Sequence, residues 1–187
     1  MNRLMTIGIV GLSLAAAGCG KSSAESAIKK AESGLAAIKA DAEQVAPDEL
    51  RALTDSIAAM KALVVSGDHS GALMGARQAG TKIRDLKANL VTRRDQLNSA
   101  FAAMSMELPT MLKSVTDKAA ELSAMKKLPP TIDPAKFAAV KEQAAGWATN
   151  WAAATESFKA GNLAAAMSAA TAIKAQLATA MASLGLS

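Results

Sequence analysis

Along most of this chain apolar residues recur every three or four positions, and that spacing predicts helices. The stripe runs Ile28, Ala31, Leu35, Ile38, Ala42, Val45, then Leu50, Leu53, Ile57, Met60, Val64. After residues 129–130 it resumes as Phe137, Val140, Ala144, Trp147, Trp151, Ala154, Phe158 and as Leu163, Ala166, Ala170, Ile173, Leu177, Leu184. One apolar stripe per helix with polar residues elsewhere lets neighbours pack at a shallow crossing angle. The expected fold is therefore all-α: a bundle of long antiparallel helices, arranged as α-hairpins, with coiled-coil-like heptad packing. Sparse punctuation divides the elements. Pro47 opens one segment and Gly67-Asp68 closes it, Pro129-Pro130 forms the firmest break, Asp133-Pro134 reads as an N-cap with proline at the first helical position, and Gly161-Asn162 marks another turn.

The middle segment is the longest. Its stripe passes through Leu73, Ala76, Ile83, Leu86, Leu90, Leu97, Phe101, Met104, Leu108, Val115, Ala119 and Leu122, keeping phase across Pro109. Proline inside a helix removes a hydrogen bond and costs about 3 kcal/mol, so either the helix kinks near Ser105 or a loop at residues 106–109 starts a new one. The unbroken phase favours the kink. The turn beginning Gly67-Asp68 aligns without gaps on the one beginning Gly161-Asn162. Glycine ends one helix, and the Asp or Asn caps the next. The pair resembles the turn of a tetratricopeptide hairpin, but the flanking helices lack that family's pattern and run too long for a 34-residue unit.

Residues 1–18 change the picture by suggesting where the chain resides. Arg3 precedes an apolar stretch from Leu4 to Ala17, too short to span about 30 Å of hydrocarbon and suited to an export signal. The tetrad Ala16-Ala17-Gly18-Cys19 resembles a bacterial lipobox, in which the cysteine becomes an acylated N-terminus; alanine stands at the usual leucine position. Cys19 is the only cysteine, so no internal disulfide is open to it, and a free thiol is a hazard in an oxidising compartment. Lipidation of Cys19 accounts for both features; an ordinary signal peptide with an incidental cysteine, or a buried structural thiol, accounts for only one. Gly20 follows where an inner-membrane retention signal has aspartate, so the resemblance implies the periplasmic face of the outer membrane. The expected organisation is a signal peptide over 1–18, a lipidated tether over 19–24, a helical hairpin region over 25–128, a linker over 129–133, and a C-terminal α-hairpin over 134–187 on the same bundle.

Composition agrees with helices: no tyrosine, three phenylalanines, two tryptophans, ten methionines. The formal charge of +5 suits anionic surfaces and is too small to argue nucleic acid as a partner. The alanine- and lysine-rich first helix, the Ala46-Pro47-Asp48-Glu49-Leu50 turn and the Gly67-Asp68 hairpin leading into Ala72-Leu73 resemble a group of small helical bacterial lipoproteins whose domain has no assigned function. The resemblance covers roughly residues 22–95 and implies an envelope location without a known chemistry.

Enzyme constellations are missing from the sequence. Cys19 belongs to the anchor and His69 is the only histidine, so neither a Cys-His pair nor a serine triad containing histidine can be assembled. His69 follows Asp68 in a turn and reads as solvated or capping. Asp48 and Glu49 follow Pro47 and suit the positive end of a helix better than paired-carboxylate catalysis. No phosphate loop or zinc spacing occurs, so neither catalysis nor a cofactor is expected. Two alternatives are chemically specific. Met104, Met106 and Met111 resemble a Met-x-Met cluster of the kind that holds Cu(I), although Met104 and Met111 fall on or beside the core stripe. A haem between His69 and a methionine also suits a helical bundle, as does an apolar ligand near Trp147 and Trp151, whose spacing otherwise makes a packed core layer. Arg77, Lys82, Arg84, Lys87, Arg93 and Arg94 form a basic cluster. Among them Arg77, Arg84, Lys87 and Arg94 are expected to face away from Leu86 and Leu90, either solvated or in contact with anionic lipid, lipopolysaccharide or an acidic envelope protein.

Overall fold

A computed structural model describes residues 16–186, with side chains from residue 20 onward. The signal peptide over 1–18 falls almost wholly outside the described residues, and so does the side chain of Cys19. Six helices follow one another: α1 (Ala16–Ala36), α2 (Lys39–Val45), α3 (Pro47–Ser66), α4 (His69–Ala124), α5 (Pro134–Lys159) and α6 (Leu163–Ser183). The fold is all-α, with helix packed on helix.

Backbone chemistry fixes most boundaries. Pro47 occupies the first position of α3. Gly67 and Gly161 carry φ of +90° and +88°, a left-handed conformation that glycine adopts without the steric cost of a Cβ. After α5 the turn closes in the Schellman manner, with the Asn162 N–H donating to Ser157 O at 3.0 Å and the Gly161 N–H to Phe158 O at 2.9 Å. Asp68 caps α4 by accepting from the Gly71 N–H at 2.8 Å. Asp133 caps α5 by accepting from Ala135 N at 2.8 Å and Lys136 N at 3.2 Å. The echoed turn differs here from expectation. Asn162 holds the N-cap position, but its side chain makes no capping bond; only its carbonyl takes part, accepting from Ala166 N at 3.0 Å.

One further expectation is corrected. The first apolar stripe is divided between two helices, because residues 37–38 form a tight turn in which the Ile38 N–H donates to Leu35 O. This three-residue closure leaves Ile38 only 3% exposed, so the stripe survives although the helix does not. The segment 19–24, expected as a lipidated tether, lies within α1, where Ala24 is fully buried and Lys21 lies one turn before Glu25, at 3.9 Å. Within α4, by contrast, the helix does continue through Pro109.

The described residues divide into two compact units, one of residues 16–39 and 49–87, the other of 40–48 and 88–186. The division falls inside α2, α3 and α4; the loop at 129–133 lies within the second unit. In the first unit α1, α3 and the start of α4 bury Ile28, Leu35, Leu53, Ile57, Met60, Ala76 and Ile83. Gly75 permits close approach, for a Cβ there would stand 3.0 Å from the Met60 side chain. In the second unit Phe101, Leu108, Val115 and Leu122 of α4 pack with Val140 and Trp147 of α5 and Ala166, Ile173 and Leu177 of α6.

Candidate functional site: a cationic groove on α1 and α4

The basic cluster of α4 separates into two settings. Arg77, Arg84 and Lys87 are exposed residues of the first unit, as expected, with no ion pair to another described residue. Arg94 belongs to the second unit and does not share that freedom. Its guanidinium donates to Asp41 Oδ1 at 2.8 Å and to Gln44 Oε1 at 3.1 Å, and its side chain is 37% exposed. Helical phase gives the reason. Arg77 and Arg84 stand roughly 180° and 160° round the helix from Leu86, whereas Arg94 stands roughly 80° from Leu86 and only about 40° from Leu90. Arg94 thus flanks the buried stripe, where a carboxylate from another element meets it.

In the first unit a groove of about 450 Å³ runs between α1 and α4 beside the free cations. Small residues at helical spacing form its floor: Ala27, Ala31 and Gly34 on α1, Ala76 and Gly80 on α4. A Cβ built on Gly80 would meet nothing within 4 Å, so the space above that residue is open. At Gly34 a Cβ would stand 3.4 Å from Ile83 Cγ2, which marks how closely the two helices approach. Lys30 from α1 and Arg77 and Arg84 from α4 also line it. Arg84 donates once, to Thr81 Oγ1 at 3.1 Å. Sequence reasoning confined to one helix missed Lys30. The signal that points to the groove is the matching small-residue spacing on α1 and α4. Two clefts of about 350 and 310 Å³ along α5 and α6 differ in charge, since Lys136 is the sole ionic side chain lining them.

The other singled-out residues are placed as follows. Met104 and Met111, a spacing of seven, pack partly buried against the core of the second unit. Met106 points elsewhere and is 75% exposed, so the three thioethers do not converge. Trp147 is buried and donates its indole N–H to Gln176 Oε1 at 2.8 Å. Trp151 stacks on Phe101 with centroids 5.4 Å apart, and Phe101 stacks on Phe158 at 4.1 Å. Trp147 is thus a member of the core, and Trp151 packs partly buried against it. Asp48 and Glu49 lie exposed in the first turn of α3. His69 opens α4, half-buried, with Nδ1 lacking a hydrogen-bond partner among the described residues. No group of three or more His, Cys, Asp or Glu side chains is placed to hold a metal among the described residues, and no helix among them is long and apolar enough to cross a membrane.

Compared with known proteins, the chain matches no family model, no curated protein and no solved structure.

Proposed function

We propose that this chain is an acyl-anchored lipoprotein of the bacterial cell envelope, a helical bundle facing the periplasm that acts there as an accessory or scaffold protein. The observation that carries the reading is the leader ending in Ala16-Ala17-Gly18-Cys19, which places the chain's only cysteine at the acylation position of a lipobox-like site. One acyl chain gives marginal membrane binding and several give firm binding, each buried methylene contributing about 0.8 kcal/mol. Arg77, Arg84 and Lys87 support the reading from a second direction. They are exposed cations without ionic partners among the described residues, and a cation near an anionic membrane surface contributes about 1 kcal/mol. On this reading the outer membrane is the anchoring membrane, Gly20 being the residue after the acylated cysteine, and the partners are lipid and envelope protein.

The test is Cys19→Ser in a bacterial host. The unaltered chain should incorporate labelled palmitate and fractionate with membranes; the variant should take up no label and appear in the soluble periplasm. A variant exported normally yet still bound to membranes would defeat the anchor.

A further inference from the structure

We infer that the groove between α1 and α4 is a binding site for an anionic phospholipid, with the headgroup phosphate held by Lys30, Arg77 and Arg84 and the acyl chain laid over the Ala31, Gly34, Ala76 and Gly80 floor. The inference deepens the proposed function and rests on it only for the presence of such lipids around the protein.

Two properties of the groove select this class of ligand. Its floor is alanine and glycine, and beside Thr81, whose hydroxyl already accepts from Arg84, no neutral polar side chain lines it. A small hydrophilic anion gains no contact from that floor, while a purely apolar molecule gains nothing from the three cations that line it. A molecule with an anionic head and an apolar tail satisfies both requirements. Arginine suits the head in particular, because its planar fork of donors matches phosphate geometry.

The lining residues extend about two turns along each helix, from Ala27 to Gly34 and from Ala76 to Arg84. An extended acyl tail can lie along that length, about 11 Å. Gly80 gives the site a steric handle independent of charge, since the position above it is empty.

The experiment uses the full chain carrying Cys19→Ser and titrates it with short-chain phosphatidylglycerol below its micellar concentration. Parallel titrations use short-chain phosphatidylcholine, inorganic phosphate and an acidic amphipathic helical peptide. Phosphatidylglycerol should bind at least about tenfold more tightly than each of the others, the weight of one charge-assisted contact. Gly80→Leu, which fills the floor and leaves every cation in place, should weaken binding at least about tenfold by removing the tail's seat. Arg77→Glu with Arg84→Glu should weaken it at least about 100-fold, two such contacts. Circular dichroism checks that each variant keeps its helicity; if the double reversal unfolds, Gly80→Leu alone decides. Phosphate binding as tightly as the lipid, tighter binding of the peptide, no lipid binding, or a Gly80→Leu variant that binds as well as its parent would each overturn the site. A chain that is anchored through Cys19 yet binds no phosphatidylglycerol defeats this inference alone, and one that binds the lipid but takes up no acyl label defeats the anchor alone.

Discussion

The ring of Phe101 is the middle member of the aromatic stack in the second unit, and its removal should weaken that unit more than any surface change. It lies 3% exposed, nearly parallel to Phe158, with an interplanar angle of 6° and centroids 4.1 Å apart, and at 24° and 5.4 Å to Trp151. Truncating a buried phenylalanine to alanine loses transfer free energy and leaves a cavity, together about 3–5 kcal/mol. Phe101→Leu keeps most of the apolar volume and gives up chiefly the two ring pairs, each about 0.5–1.5 kcal/mol, so its cost should be about 1–3 kcal/mol. Urea unfolding followed by tryptophan emission separates the two variants. Both tryptophans, Trp147 and Trp151, lie on α5 within this unit, so the signal reports on it directly. With a urea slope of about 2 kcal/mol/M, the Phe101→Ala midpoint should fall by about 1.5–2.5 M. A fall of less than about 0.5 M, with the emission maximum unchanged, would show that Phe101 does not hold the layer together.

The remaining predictions concern helix ends and the surface. Asp133→Ala removes the acceptor for two backbone N–H groups at the start of α5 and should cost about 1 kcal/mol, with Asn restoring most of it; thermal unfolding measures both. Gly161→Ala forces a side chain into φ of +88° and should cost about 1–2 kcal/mol, while Gly146→Ala, inside α5 where a Cβ meets nothing, should gain about 0.5–1 kcal/mol; equal shifts in melting temperature for the two would contradict the backbone assignment. Arg84→Glu with Lys87→Glu alters two exposed positions and should change stability by less than about 0.5 kcal/mol each, as read by helicity and melting temperature. A cooperative loss of helix in that variant would mean that the phase of α4 is misplaced.

The features legible in the sequence are those decided within a few residues. Leu108, Val115 and Leu122 keep one face of α4 at intervals of seven, on either side of Pro109, and all three are buried. Gly67, Asp133 and Gly161 mark helix ends because the left-handed φ and the capping carboxylate act on the backbone beside them. The interruption at residues 37–38 has no such marker. Neither alanine nor isoleucine breaks a helix, so the turn there reflects packing that keeps Ile38 buried.

Arg94 and Arg84 show where legibility stops. In composition they belong to one basic cluster, ten residues apart on one helix. Phase alone already separates them, since Arg94 falls beside Leu90 and Arg84 falls opposite Leu86. Phase cannot supply the partner: Asp41, 53 positions away, neutralises Arg94, and no spacing rule on α4 contains it. The groove arises by the same logic in reverse. Lys30 and Arg84 are 54 residues apart, and only the packing of α1 on α4 places both beside one floor of small residues. A cluster read along one helix thus overstates the charge available at Arg94 and understates it at Arg77 and Arg84. The surface that acts on a ligand is set by which helices become neighbours.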